Sequence, residues 1–170
     1  MTKGKVILTG NFGVGKTSLF NRFLYNQFGE KYLTTIGVKV GKKAVKIEQV
    51  EVTLLIWDLA GEISQDKVPN SYFSESSAII YVFDLTRSST YSNLESDLDY
   101  LRKKVPDVIL KLVGNKRDLI SESELQTIEE NLHQKPDVIT SAKTGENVEE
   151  LFLEIATNLL KEENLSLIHI

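Results

Sequence analysis

The chain has 170 residues, enough for one compact domain that buries about two thirds of its unfolded surface. Hydrophobic residues make up 41% and charged residues 26%, with 3 prolines and no low-complexity run, which excludes the disordered and fibrous classes. A net charge of −4 with scattered Lys and Arg argues against nucleic acid as a partner, and the absence of cysteine excludes disulfides, thiolate catalysis and thiolate zinc sites.

Residues 5–10, KVILTG, form a short apolar run ending in glycine, the pattern of a buried strand entering a tight turn. KTSLFNRFLYN then sets Leu19, Phe20, Phe23 and Leu24 on one side of a helix. Two strand-like runs, 38–47 and 50–57, are separated by Glu48 and Gln49 and predict an antiparallel hairpin. AIIYVF, residues 78–83, reads as a buried strand, followed by Tyr91, Leu94, Leu98 and Leu101 at helical spacing. VILKLVG (108–114) is another strand, and Leu125, Ile128 and Leu132 mark a second amphipathic helix. A last strand at 137–140 precedes Val148, Leu151, Phe152, Ile155 and Leu159 on a closing helix. Alternating strands and helices predict an α/β fold: a mainly parallel six-stranded sheet, one strand antiparallel, with helices on both faces. No repeat or linker interrupts it, so residues 1–170 read as one domain.

Four polar loops, 10–17, 58–62, 115–118 and 141–143, each follow a predicted strand. In a parallel sheet they converge on one edge. In the first, Gly10, Gly15, Lys16 and Thr17 satisfy G-x-x-x-x-G-K-[ST] between a strand and a helix. Glycines let the backbone wrap phosphate oxygens, and the helix N-terminus favours anions. Lys16 would reach the β- and γ-phosphates, and the Thr17 hydroxyl would bind Mg²⁺. Asp58 stands after LLIW as either a turn or capping aspartate or a carboxylate holding the metal through water; beside the phosphate loop the metal role is favoured.

The base is read from GNKRDL, residues 114–119. A carboxylate at Asp118 accepts from guanine N1–H and N2–H₂, a donor pair adenine lacks. Asn115 and Lys116 would order this loop and cover the ring, while Ser141, Ala142 and Lys143 would present the Ala142 amide to guanine O6.

With GNFGVGKT, TTIGV, WDLAGE, GNKRD and SAK in this order, the sequence resembles a small GTPase of the Ras superfamily, Rab-like, over essentially its whole length. The resemblance implies that GTP or GDP is bound by Gly13, Val14, Gly15, Lys16, Thr17 and Ser18 on the phosphate side. It further implies that Thr35 coordinates Mg²⁺ and, with the Gly61 amide, senses the γ-phosphate, so that Lys16, Thr35, Gly61 and Glu62 form the catalytic set. Phe28 would lie against guanine and Tyr32 would close over the phosphates; from the residues alone both serve equally as core or loop-packing aromatics. Effector, exchange-factor and activator proteins are the implied partners.

Three features depart from the family pattern. Glu62 stands where the family usually has glutamine; an ionised carboxylate only accepts hydrogen bonds and adds negative charge near the γ-phosphate, so slow hydrolysis is expected unless a raised pKa makes it a base. Phe12 either narrows the path of an incoming arginine finger or points outward and shields the site. The C-terminal NLSLIHI carries no cysteine for a lipid, and Thr2 rather than glycine follows Met1, so no direct membrane anchor and a cytoplasmic location are expected. The apolar tail packs on the body, leads into further domains or is a tag remnant. His133 and His169 lack metal-ligand company and read as structural or surface residues. The leading reading is a GTP-binding switch. The alternatives are a nucleotide-holding scaffold without useful turnover and a Roc-type GTPase domain of a larger protein.

Overall fold

A computed structural model describes residues 2–29, 37–59 and 68–168 of the chain. Six strands form one sheet: β1 (Thr2–Gly10), β2 (Val38–Ile47), β3 (Val50–Leu59), β4 (Ala78–Asp84), β5 (Ile109–Asn115) and β6 (Val138–Ile139), in the order β2-β3-β1-β4-β5-β6. β2 runs antiparallel to β3 and every other pairing is parallel. The helices are α1 (Lys16–Tyr25), α2 (Asn70–Phe73), α3 (Leu94–Lys104), α4 (Glu122–Asn131) and α5 (Val148–Ile168).

The period-2 alternation of the central strands divides the core into two layers. Val6, Leu8, Ile80 and Val82 pack with Leu19, Phe20 and Phe23 of α1 and with Leu151, Phe152 and Ile155 of α5. Ile7, Ile79, Tyr81 and Phe83 face the other way, onto Leu94, Leu98 and Leu101 of α3, with Leu125 and Ile128 of α4 at its margin. Phe23 and Phe152 stack with ring centroids 4.0 Å apart, joining α1 to α5. All these apolar side chains leave water on one face or the other, so the central strands read as continuous apolar runs rather than alternating ones.

Glu48 and Gln49 close the expected hairpin, both with positive φ, the backbone shape of a two-residue turn matched to the twist of its strands. Apart from the short helix α2, which the sequence reading does not anticipate, the differences lie at element ends. β1 extends back to Thr2, whose hydroxyl donates to Glu163 on α5, and β6 shrinks to two residues. Tyr91 belongs to a tight turn ahead of α3, edge-on to Phe83, rather than to the helix itself. The closing helix continues to Ile168 and leaves Leu165 and Leu167 exposed, so these tail residues do not pack on the body. No helix among the described residues is long and apolar enough to cross a membrane.

Sheet register sets the functional edge. Asp58 near the end of β3 pairs with Leu8 of β1, Gly10 at the end of β1 pairs with Val82 of β4, and Asp84 at the end of β4 pairs with Asn115 at the end of β5. Beyond β5, the Arg117 amide donates to Thr140, bringing 115–118 against 141–143. Loops 10–17, 115–118 and 141–143 therefore meet at one edge with Asp58, while 60–62 lie outside the described residues.

Candidate functional site

The phosphate loop is shaped by two glycines that admit no side chain. A Cβ on Gly10, at φ +139°, would stand 2.1 Å from the Val82 carbonyl oxygen, and one on Gly15, at φ +104°, 2.2 Å from Asn115 Nδ2. Gly15 also begins α1 in the left-handed region, with no side-chain cap and no acidic residue in the first turn. The helix start therefore keeps its positive end for another anion.

Four successive loop residues are held from outside. Thr90 O accepts from Asn11 Nδ2 at 3.0 Å, Arg87 Nη2 donates to Phe12 O at 2.7 Å, Lys116 Nζ to Gly13 O at 3.0 Å, and Asn115 Nδ2 to Val14 O at 3.0 Å. In a trans peptide the carbonyl and the next N–H point in opposite directions. Fixing the carbonyls of Phe12, Gly13 and Val14 therefore turns the amides of Gly13, Val14 and Gly15 away from their protein donors, as a set. Successive amides so aligned make an anion-binding nest.

Lys16 lies within the loop, 6% exposed, donating to the carbonyls of Gly10 at 2.9 Å and Asn11 at 2.8 Å. Burial pulls its ammonium down from 10.5 to about 8; the Asp58 carboxylate opposes this shift and the Arg87 cation adds to it. An anion seated beside it favours the charged form further. Thr17 Oγ1 donates to Asp58 Oδ2 at 2.6 Å, and Asp58 is fully buried. A hydroxyl and a carboxylate beside a phosphate cradle are the hard oxygen donors that suit Mg²⁺, so this pair fits that ion. Ser18 is half-buried in the first turn of α1.

The base side is built from side chains. Asn115, 1% exposed, accepts at Oδ1 from Thr140 Oγ1 at 2.9 Å and, at a longer 3.3 Å, from the Ala142 amide. Ser141 Oγ donates to Asp118 Oδ1 at 2.7 Å, one of about four lone-pair sites on that carboxylate, so acceptor capacity for a ligand remains. Arg22 of α1 donates to the carbonyls of Ala142 at 2.8 Å and Lys143 at 2.5 Å, fastening the last loop. Phe28 is half-buried against the core layer that includes Ala142, a position consistent with both readings of that ring. Lys143 is exposed.

Sequence reasoning missed the group that unites the two sides. Asp84 is fully buried, and its Oδ2 meets Arg87 Nε and Lys116 Nζ, each at 2.9 Å, while Oδ1 accepts from the Thr86 amide at 2.8 Å and hydroxyl at 2.6 Å. Burial alone would raise its pKa, but the hydrogen bonds from Thr86, Lys116 and Arg87 outweigh it and hold the carboxyl below the usual range. Lys116 reaches this position from a left-handed backbone, φ 72°, uncommon for a side chain of its kind. The missed signal was positional: Asp84 ends a strand on the same edge as Asp58 and Asn115.

Of the expected site residues, Tyr32, Thr35, Gly61 and Glu62 lie outside the described residues, as does His169. Phe12 is 38% exposed. The His133 side chain is 86% exposed with Nε2 3.7 Å from Glu95, and no cluster of potential metal ligands of three or more His, Cys, Asp or Glu occurs among the described residues.

Comparison with known proteins shows the family. Residues 5–161 match the model of the Ras family. The Ras-related protein Rab-4B of Rattus norvegicus is 35% identical over 163 residues, covering 93% of this chain and 76% of the relative, and the Homo sapiens and Mus musculus proteins of that name match to the same extent. The chain therefore belongs to the Ras family, as a Rab-like small GTPase, a GTP-binding switch protein.

Proposed function

We propose that the chain, as a single domain, binds Mg²⁺·GTP across the described edge and signals through two nucleotide-sensitive segments, around residues 30–40 and 59–75, that effector proteins read. The observation that carries this is the run of held carbonyls at Phe12, Gly13 and Val14, which leaves the next amides free of those donors beside the buried Lys16 and the uncapped start of α1. Such a nest suits a polyphosphate, and Lys16 supplies its compensating charge. Asp118 accepts from the guanine N1–H and N2–H₂. The Ala142 amide exchanges its long contact with Asn115 for guanine O6, held at the right depth by Arg22.

Thr17, Thr35 and Asp58 would hold Mg²⁺, which when bound offsets negative charge on the phosphates. Hydrolysis adds a water oxygen to the γ-phosphorus, breaks its bond to the GDP oxygen and releases phosphate. Lys16 and the loop amides stabilise charge on the phosphoryl oxygens, and the Gly61 amide contacts the γ-phosphate. Glu62 beside the attacking water only accepts hydrogen bonds when ionised and adds repulsion, so the intrinsic rate is low. GTP/GDP, exchange factors, activators and effectors are the partners in this reading.

Single-turnover hydrolysis of GTP by wild type and by Glu62→Gln tests the rate assignment. The variant should be faster by about tenfold, equivalent to ~1.4 kcal/mol of barrier. A variant no faster than wild type removes Glu62 as the cause.

A further inference from the structure

The segment that follows β4 does more than connect it to α3. Asn11, Phe12 and Gly13 are consecutive in the phosphate loop, and each is tied to this segment or to a cation gathered by it: Asn11 to Thr90 O, Phe12 O to Arg87, and Gly13 O to Lys116. Arg87 and Lys116 meet on the same carboxylate oxygen, Oδ2 of Asp84. The hub is itself braced. Thr86 occupies Oδ1 with two hydrogen bonds, and the Asp84 amide donates to Thr90 Oγ1 at 2.9 Å. Arg87 is suited to its place because a planar guanidinium has separate donors for two acceptors, Nε for Asp84 and Nη2 for the Phe12 carbonyl. A lysine at this position has one terminal nitrogen and cannot reproduce that fork.

We infer that Asp84 and Arg87 are positioning residues for the bound nucleotide, acting through the Phe12–Gly13 and Gly13–Val14 peptides whose amides face the phosphates. This rests on the GTP-binding reading above. Neither residue touches the ligand. With the Phe12 carbonyl released, the peptide that carries the Gly13 amide is free to rotate, and the loop must be ordered anew each time phosphate binds. The cost falls on the phosphate side and is shared by every nucleotide with the same phosphates, whereas base preference depends on Asp118 and is untouched.

The test compares dissociation of a fluorescent GDP from wild type, Arg87→Ala, Arg87→Lys and Asp84→Asn, with Arg102→Ala as a control on the exposed face of α3. Arg87→Ala should release GDP about tenfold faster, Arg87→Lys should recover less than half of that loss, and Asp84→Asn, which removes the negative charge that gathers both cations, should release it about thirtyfold faster. The preference for GDP over ADP in Arg87→Ala should equal that of wild type, because Arg87 ties the Phe12 carbonyl and Asp84 rather than the Asp118 loop. Arg102→Ala should match wild type. Unchanged dissociation in Arg87→Ala, or a full rescue by lysine, overturns the positioning role, and so does a loss confined to guanine preference. If wild type itself binds neither GDP nor GTP, the functional reading fails and this inference falls with it. Asp84→Asn that does not fold leaves the decision to the Arg87 pair.

Discussion

The phosphate side and the base side of the site share one sheet edge but are built from different materials. On the phosphate side the groups proposed to face the ligand are main-chain amides, and the residues that shape it most are those without a side chain, Gly10 and Gly15, whose absent Cβ atoms leave room for Val82 O and Asn115 Nδ2. On the base side the groups proposed to face the ligand are the Asp118 carboxylate and the Ala142 amide, tied by the side chains of Asn115, Ser141 and Arg22, with Thr140 bracing Asn115. Backbone sites tolerate almost no substitution at the glycines, yet leave other positions open. Phe12 occupies one such position, 38% exposed and with its carbonyl accepting from Arg87. Side-chain sites instead lose specificity one group at a time.

The largest effect should come from Gly15→Ala. Its φ of +104° strains any side chain, and the new Cβ would meet Asn115, itself pinned by Val14 and Thr140. A loss of about 3 kcal/mol is expected, equivalent to more than a hundredfold in nucleotide affinity, measured by titration with fluorescent GDP. A variant that binds as wild type does would mean that the backbone does not shape this side.

Asp118→Ala probes the opposite side and should leave phosphate binding alone. Loss of two charge-assisted hydrogen bonds to guanine should cut the preference for GTP over ATP by about a hundredfold, as read by competition. A uniform fall in affinity for both nucleotides would instead show that Asp118 supports the loop rather than the base.

The smallest effect tests the seam between the two. The Asp84 carboxyl is held below the usual carboxylate value of about 4 by its partners, so its stabilisation is complete above that pH and is lost as pH falls through the lower folded value. Wild type should therefore lose more melting temperature than Asp84→Asn between pH 5 and pH 3, by several degrees on the order of 1 kcal/mol. Parallel acid profiles would show that the carboxylate contributes no linkage.

Much of this was legible before any coordinates. Glycine spacing, Lys16 and Thr17 between a strand and a helix specify a phosphate loop because close backbone approach needs residues without Cβ, and Asp118 specifies guanine because only a carboxylate there matches its donor pair. The apolar periods gave the strand and helix order, since burial on one face or two leaves a local signature that the chain cannot hide. Helix ends were less legible: α5 continues past its last buried residues to Ile168, where exposed positions leave no apolar period to mark its end.

By itself, then, the sequence determined the ligand class, the order of the sheet-edge loops and the unusual Glu62. Only the tertiary structure decided how those loops are held. Asp84, Arg87, Thr90 and Arg22 belong to no local motif, and they matter because sheet register sets Asp84 opposite Asn115 and packs α1 beside the 141–143 loop. A hydrogen-bonded hub joining residues 75 positions apart leaves no period or spacing in the chain, because its geometry exists only after the strands have paired.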